Sequence, residues 1–260
     1  MNDPAAPDVQ VYVASLNTKA ATELCLRSMR HYAGHDFDLM VGDGGSTDGS
    51  LDLLRGFESR GWLTLDVAPG GRKHWEWIDQ WIVECPARFA VFVDSDVEFL
   101  QPGWLQKMVA AAVADDAALV CGQMLGTAPH FRHPVTGTTR TVMGRPAPWL
   151  LLLDVAALRG RVDVSFRYVE EDDANAEGGR IAHDVGGAYF VALQAAGLGS
   201  VTLPDAYRKK FRHFGGLSWR SAWDRDVPLK ARARQLAKIT LVHTHLWRAR
   251  IGRWGVADPT

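Results

Sequence analysis

The feature that most constrains the fold is an apolar run at residues 89–93 that ends on two carboxylates, Asp94 and Asp96. Five consecutive apolar residues are typical of a strand buried on both faces of a parallel sheet. In open α/β sheets the carboxyl ends of such strands border the ligand crevice. We therefore expect the two aspartates to face a bound group, since paired carboxylates suit a divalent cation that also binds substrate phosphates. A strand that ends in an ordinary Asx turn is the alternative.

Two other strands upstream end in polar residues. The apolar run at 9–14 leads to Ser15 and Asn17, and the run at 37–42 leads to a glycine-rich turn at 43–49. Glycine lets the backbone approach a ligand closely. The pattern predicts that polar residues from three strand ends meet at one edge of a sheet.

These segments resemble the motifs of family 2 glycosyltransferases with the GT-A fold. Residues 14–17 are similar to the family's first-strand element, residues 43–48 to its Asp-Asp-Gly-Ser-Thr-Asp element, and residues 94–96 to its Asp-X-Asp signature. The resemblance covers the first half of the chain. It implies an α/β fold with a Rossmann-like, mostly parallel sheet flanked by helices. Gly44 departs from the pattern, because many relatives carry a second acid there, and this leaves the base preference open.

Size and composition predict one globular domain. The chain has 260 residues, is 47% apolar and carries a net charge of −1, which does not favour a nucleic-acid partner. We expect a single GT-A domain over 1–260, with a donor half at 8–125, an acceptor half at 126–227 and a basic amphipathic helix and tail at 228–260. The cysteines lack metal-site spacing and are expected to be small buried residues in a reducing compartment. Because no charged-then-apolar leader is visible either, we expect a cytoplasmic protein. The alanine- and arginine-rich composition is typical of a bacterial source.

The resemblance implies a nucleotide-sugar site on the strand ends. The residues expected to contact the donor are Ser15, Asn17, Asp43, Arg72, Lys73, Asp94 and Ser95, with Asp94 on the ribose side. Arg72 and Lys73 precede a predicted helix, where cations oppose the helix dipole, so a role in binding explains them better than helix stability does. Solvated loop charges are the alternative reading of these two residues.

The metal site is expected to combine Asp96 with His213. Residues 213–218 resemble the His-X-Gly-Gly-X-Ser element with which many relatives complete that site. Imidazole is an ordinary ligand for Mn²⁺ and a less common one for Mg²⁺, so this pairing favours Mn²⁺ over Mg²⁺. A structural histidine is the alternative.

Asp184 is the expected catalytic base. The Asp-Val-Gly at 184–186 is similar to an Asp-Thr-Gly found in some relatives, and Asp184 is expected to cap a helix at 188–196. Inverting displacement needs one carboxylate to take the proton of the acceptor. A plain helix cap is one alternative, and Glu171 or Asp172 in the acidic run 170–173, expected to be a solvated loop, is the other.

The acceptor side carries less information. Residues 122–148 are expected to form a loop or short hairpin, and Trp149 and Trp219 could pack against a sugar ring, although core packing is the usual role of such residues. The acceptor is an unknown hydroxyl on a glycan, a lipid-linked glycan or a small molecule.

The basic segment at 228–250 predicts an amphipathic helix. It either packs on the sheet with its charges in water or contacts anionic lipid as a peripheral membrane element at the inner face of the membrane. His243 and His245 are expected to be structural, and a homodimer is left open.

Taken together, the sequence predicts a metal-dependent inverting hexosyl- or deoxyhexosyltransferase that uses a UDP- or dTDP-sugar. A non-catalytic nucleotide-sugar or glycan binder on the same fold is the alternative. A sugar-nucleotide pyrophosphorylase is disfavoured because no glycine-rich loop follows the first strand. The same absence of glycine disfavours an NAD-binding fold.

Overall fold

The structure of the protein is a computed structural model that describes residues 8–132, 138–217, 229–252 and 254. The helices in these ranges are α1 Lys19–Tyr32, α2 Ser50–Glu58, α3 His74–Glu84, α4 Trp104–Ala114, α5 Val155–Leu158, α6 Gly187–Ala195 and α7 Leu229–Ile251. The first eight strands are β1 Val9–Ser15, β2 Asp38–Asp43, β3 Thr64–Val67, β4 Phe89–Asp94, β5 Val97–Phe99, β6 Ala117–Cys121, β7 Met124–Leu125 and β8 Ala128–Arg132. The other seven are β9 Thr139–Val142, β10 Arg145–Pro146, β11 Leu150–Asp154, β12 Val169–Asp172, β13 Arg180–His183, β14 Gly199–Thr202 and β15 Phe211–His213.

The fold is α/β, with a central, mostly parallel sheet flanked by helices, as the sequence predicts. Seven strands form this sheet in the order β14-β6-β11-β4-β1-β2-β3. Strand β4 is buried along residues 89–93, which is what a strand covered on both faces requires. The carboxyl end of β4 is Asp94, so the acidic pair lies where the apolar run predicts it.

The contacts divide the chain into two compact units. The first, called the α1 unit, consists of the described parts of Val11–Arg72, Val93–Lys107 and Asp205–Thr260. The second, called the α6 unit, consists of the described parts of Met1–Gln10, Lys73–Phe92 and Met108–Pro204.

In the α1 unit, helix α7 packs on helix α1. Val242, Leu246 and Ala249 of α7 form one buried cluster with Ala21 and Leu24 of α1. These three residues of α7 follow one another at intervals of three and four, so they share one face of the helix. The segment predicted as an amphipathic helix is helical over Leu229–Ile251, and Ala233, Leu236 and Leu241 are exposed apolar residues on it.

Asp48 joins the N-termini of α1 and α2 in the same unit. Its Oδ2 accepts a hydrogen bond from the backbone N–H of Lys19 at 2.9 Å, and its Oδ1 accepts one from that of Ser50 at 3.0 Å. Burial raises the pKa of Asp48, but these hydrogen bonds outweigh it and leave the pKa below its ordinary value. The residue between, Gly49, has a φ of 83°, a conformation that favours glycine.

In the α6 unit, the Trp149–Leu153 run predicted as a strand forms β11, which begins one residue later and is buried along its length. Strand β11 pairs antiparallel with β6, and β14 pairs parallel with β6. The described residues of the segment 122–148 contain more regular structure than the predicted loop or short hairpin, since they contribute strands β7 to β10. Of these, β8 and β9 join β13 and β12 in a four-stranded sheet.

The three cysteines, Cys25, Cys85 and Cys121, are free and buried, which confirms their prediction as small buried residues. Among the described residues, no helix combines the length and the apolar character needed to cross a bilayer.

Candidate metal and nucleotide site

Three potential metal ligands converge in the α1 unit. Asp94 ends β4, Asp96 lies just before β5, and His213 ends β15. The Nε2 atom of His213 lies 3.2 Å from Oδ1 of Asp96 and 3.6 Å from Oδ2 of Asp94. One donor atom from each residue falls within 4.8 Å of the others. The sequence predicts Asp96 and His213 as ligands, and the structure adds the carboxylate of Asp94, predicted on the ribose side, to the same group.

Backbone pairing explains how His213 reaches the acidic pair across more than a hundred residues. Strand β15 runs antiparallel to β5, with His213 opposite Val97. The next N–H, of Phe214, donates to the carbonyl of Asp96 at 3.0 Å. This antiparallel pairing of β5 and β15 therefore holds the imidazole beside the carboxylates before any ion binds.

The charges around His213 shift its pKa upward. Burial lowers this pKa, but the hydrogen bond that the imidazole donates to Asp96 and the negative charges of Asp96 and Asp94 raise it by more, against a smaller opposing effect of Lys238. Imidazole must be neutral to bind a metal. A cation would therefore displace a proton from this site.

A buried ionic cluster lies directly behind the three ligands. The carboxylate of Glu98, which is 0% exposed, accepts a hydrogen bond from Nη1 of Arg212 at 3.1 Å. Its other oxygen lies 2.7 Å from Nδ1 of His245 on α7. Glu98 follows Asp96 by two residues and Arg212 precedes His213 by one. The cluster thus ties both ligand-bearing strands to α7, and His245 is structural, as predicted.

The loops after β1 and β2 bind each other through Asn17. Its φ is 52°, and its side-chain oxygen accepts a hydrogen bond from the N–H of Thr47 at 2.8 Å. Its own N–H donates to Oγ of Ser46 at 3.0 Å. The predicted meeting of these two strand ends is present in the α1 unit.

Asp43 is fully buried at the end of β2. Its Oδ1 accepts hydrogen bonds from the N–H groups of Gly45 at 3.0 Å and Ser46 at 2.8 Å. Its Oδ2 has no hydrogen-bond partner among the described residues. A buried acceptor without a partner costs free energy, so this oxygen is suited to a ligand's N–H or O–H.

The hydroxyls of Ser15 and Ser95 point toward α1. Ser15 Oγ lies 3.1 Å from Oγ1 of Thr22, and Ser95 Oγ lies 3.0 Å from Oγ1 of Thr18. The two threonines are themselves 3.0 Å apart. These bonds anchor the strand ends to α1, and donor contact by Ser15 and Ser95 stays a prediction.

The two basic residues of the expected donor site fall in different units. Arg72 lies in the α1 unit, with Nη1 at 3.7 Å from Oδ2 of Asp66. Lys73 lies in the α6 unit and precedes α3, where its N–H donates to Oε2 of Glu76 at 2.7 Å. Their donor contacts stay predictions.

A cavity of about 400 Å³ lies in the α1 unit between the start of α1 and α7. Its walls are formed by Asn17, Thr18, Lys19, Ala20, Ala21, Glu23, Asp48, Leu217, Gln235, Ile239, Val242, His243, Leu246 and Arg250. Asn17 is the one wall residue that also belongs to the predicted donor site. The cavity therefore begins next to the loop where the nucleoside is expected.

Asp184 does not cap α6, contrary to the prediction. The N-cap is Gly186, whose φ is 82° and which leaves no side chain to bond the first turn. The carboxylate of Asp184 instead accepts a hydrogen bond from the N–H of Val185 at 2.8 Å and forms an ion pair with Arg145. Arg145 is buried, whereas the side chain of Asp184 is 44% exposed. Asp184 is thus held in orientation while solvent still reaches it.

Sequence reasoning missed Arg145, and no local signal could have found it. It lies 39 residues before Asp184, inside the segment predicted as a loop. The pairing depends on tertiary structure, because β10 and the start of α6 are in contact.

The acidic run 170–173 is a strand over most of its length and not the predicted loop. Strand β12 pairs antiparallel with β13, with Glu171 opposite Ile181. Arginines compensate the charge: Arg140 lies 3.1 Å from Glu170, and Arg180 lies 3.1 Å from Asp172. Glu171 and Asp172 are exposed, so their roles toward an acceptor stay predictions.

The two acceptor tryptophans give no further support. Trp149 is 8% exposed, which leaves little ring surface for a sugar in this structure. Trp219 lies outside the described residues.

Comparison with known proteins agrees with this geometry. The sequence model of glycosyl transferase family 2 matches residues 10–154, and no curated protein matches the chain. The mannosyltransferase PcManGT from Pyrobaculum calidifontis, solved in complex with GDP-Man and Mn²⁺, is 17% identical over 95% of this chain and 74% of that chain, with a TM-score of 0.51.

A second solved structure is the glucosyl-3-phosphoglycerate synthase from Mycobacterium tuberculosis, in complex with Mn²⁺, UDP and glucosyl-3-phosphoglycerate. It is 15% identical over 98% of this chain and 82% of that chain, with a TM-score of 0.49. The likeness to the Pyrobaculum enzyme confirms the predicted GT-A fold. The family match spans residues 10–154, which is more than half of the length of this chain. The chain therefore belongs to glycosyl transferase family 2.

Proposed function

We propose that the protein is a metal-dependent inverting glycosyltransferase that moves a sugar from a UDP- or dTDP-sugar to an acceptor hydroxyl. The observation that carries this proposal is the Asp94, Asp96 and His213 group at the end of β4 in a chain of family 2. The Pyrobaculum mannosyltransferase was solved with a nucleotide sugar and Mn²⁺, the same classes of ligand that we propose here. Its guanine nucleotide differs from our proposed donor, so the base is part of the test.

The three potential metal ligands fit a divalent cation, and they fit Mn²⁺ better than Mg²⁺. Two carboxylates and one imidazole offer hard oxygen with borderline nitrogen, which suits Mn²⁺. When bound, such an ion would neutralise the charge that develops on the departing diphosphate. The protein's own contribution is to hold Asp94, Asp96 and His213 within reach of one another by the β5–β15 ladder.

We assign the nucleoside to the loops after β1 and β2. The unpartnered Oδ2 of Asp43 would accept a hydrogen bond from the base, and Asn17 would present its loop to the ribose or base. Arg72 and Lys73 would contribute positive charge to the diphosphate. The folded protein has already lost the hydration of this buried acceptor. A hydrogen bond from a ligand therefore favours binding without a further desolvation cost at that atom.

We assign the base to Asp184. In the proposed step the carboxylate takes the proton of the acceptor hydroxyl while that oxygen bonds the anomeric carbon and the bond to the diphosphate breaks. Its ion pair with Arg145 and the hydrogen bond from Val185 would hold the carboxylate in one orientation, with its solvent-exposed side free for the acceptor. Positioned general bases contribute about 10²–10⁴-fold to rate.

Donor binding is tested by thermal shift and calorimetry with UDP, dTDP and GDP, each with and without Mn²⁺. UDP or dTDP at about 100 times its Kd should raise the melting temperature by about 5–10 °C when Mn²⁺ is present. Asp96→Asn should abolish the contribution of Mn²⁺, whereas the matched control Asp205→Asn, on an exposed side chain, should leave it intact. Nucleotide binding that needs no metal and is unaltered by Asp96→Asn would defeat the proposal.

Catalysis is tested with a panel of UDP- and dTDP-sugars, in which hydrolysis and transfer are followed and the anomer of the product is read by NMR. Asp184→Asn should lower turnover at least about 100-fold with donor binding intact. Asp172→Asn and Glu171→Gln are the matched controls. Near-normal turnover of Asp184→Asn would assign the base elsewhere, a product with retained configuration would refute inversion, and tight donor binding without turnover would identify a binding protein.

A further inference from the structure

Helix α7 carries apolar residues on two sides, and among the described residues only one of these sides is packed. Val242, Leu246 and Ala249 are buried against α1. Trp247 and Ile251 are each 63% exposed and Leu236 is 59% exposed. At about 100° per residue, Leu236, Trp247 and Ile251 fall within about 60° of one another. They lie along one exposed stripe, which the exposed Thr240 and Thr244 interrupt.

The surroundings of this stripe are strongly basic. Helix α7 contains six Lys or Arg residues and no Asp or Glu. Helix α1, on which it packs, contains a single acid, Glu23, and that carboxylate is already held by Arg27 and Arg250. Arg248 is exposed on α7 and lies about 60° from Ile251 around the helix. This end of the helix therefore combines tryptophan and isoleucine side chains with an adjacent positive charge.

We propose that the exposed stripe of α7 docks on an anionic lipid bilayer, with Trp247 in the interface and Arg248 on a lipid headgroup. Tryptophan and arginine around an apolar stripe are typical of helices that lie in the membrane surface. A second copy of the chain is a poorer partner, because an isologous contact would bring two helices without acids against each other. This inference is independent of glycosyl transfer.

The test uses the full chain and two kinds of vesicle, phosphatidylcholine alone and phosphatidylcholine mixed with phosphatidylglycerol, in a flotation assay. Binding should occur on the anionic vesicles and weaken as salt is raised. Trp247→Ser should weaken it at least about tenfold and Arg248→Gln about fivefold. Leu236→Ser, a second variant of the stripe, should act in the same direction as Trp247→Ser.

Matched controls are Val83→Ser on α3, where the valine is 79% exposed, and Arg208→Gln, where the side chain is 50% exposed. Neither should change vesicle binding. The proposal is overturned if the protein ignores anionic vesicles, binds both vesicle types equally, or responds to Val83→Ser as it does to Trp247→Ser. Binding to heparin without binding to vesicles would identify a polyanion partner and would overturn it as well.

Discussion

Truncation of Glu98 should destabilise the protein through the ionic cluster behind the candidate metal site. Glu98→Ala removes a carboxylate that is 0% exposed. Two groups lose this partner: Arg212, which lies 3.1 Å from the carboxylate, and His245, which lies 2.7 Å from it. Removing one partner of a buried ion pair costs about 3–5 kcal/mol, because the other charge stays desolvated. The side chain of Arg212 is 37% exposed and can recover part of its hydration. We therefore expect a loss near the lower limit, about 3 kcal/mol.

The assay is thermal unfolding followed by calorimetry or circular dichroism. A loss of about 3 kcal/mol corresponds to a fall in melting temperature of about 6–12 °C for a chain of this size. The melting temperature of Glu98→Gln should fall by less, because glutamine keeps the side-chain volume and one acceptor oxygen. Asp205→Ala, which removes a carboxylate that is 96% exposed and lies 3.7 Å from Arg208, should show no resolvable change. A Glu98→Ala protein with the same melting temperature as the wild type would refute the reasoning.

Three further outcomes are expected. Mn²⁺ affinity should rise about tenfold per pH unit up to the raised pKa of His213, because the ion displaces the proton on the imidazole. Without metal, the same raised pKa stabilises the folded protein at low pH, and this stabilisation is lost as the pH rises through the pKa of His213 in the folded state. Calorimetry across this range checks it, and a flat affinity would contradict it. Gly178→Ala should lower the melting temperature more than Gly179→Ala, since both have positive φ but only at 178 would a Cβ overlap the backbone carbonyl of Thr139; equal losses in a thermal scan would count against this. Cys25, whose thiol pKa is raised by burial and by nearby aspartates, should react with Ellman's reagent only after unfolding, so rapid native-state labelling would be inconsistent with its environment.

The donor-side elements could be predicted from sequence because their signals are local. Strand β4 is an uninterrupted apolar run, and its bounds, Phe89–Asp94, follow that run. Asp94 ends the apolar run, and Asp96 follows it in the turn before β5, where its side chain is buried. The resemblance predicts His213, and the β5–β15 ladder supplies the physical reason for its position.

Errors arose where tertiary structure decides a local choice. In 184–187, both an aspartate and a left-handed glycine can start a helix, and the buried guanidinium of Arg145 takes the carboxylate, so the glycine forms the cap. The acidic run forms a strand that pairs with β13, where Arg180 and the more distant Arg140 compensate its charge. No single segment carries the information for such pairs.

The bridge that Asp48 makes between the starts of α1 and α2 has a consequence for the kinetics and thermodynamics of ligand binding. It clamps the two neighbouring turns in place before a ligand arrives, so little chain entropy remains to be lost on association. Complex formation should then resemble rigid docking, with modest conformational rearrangement in this region.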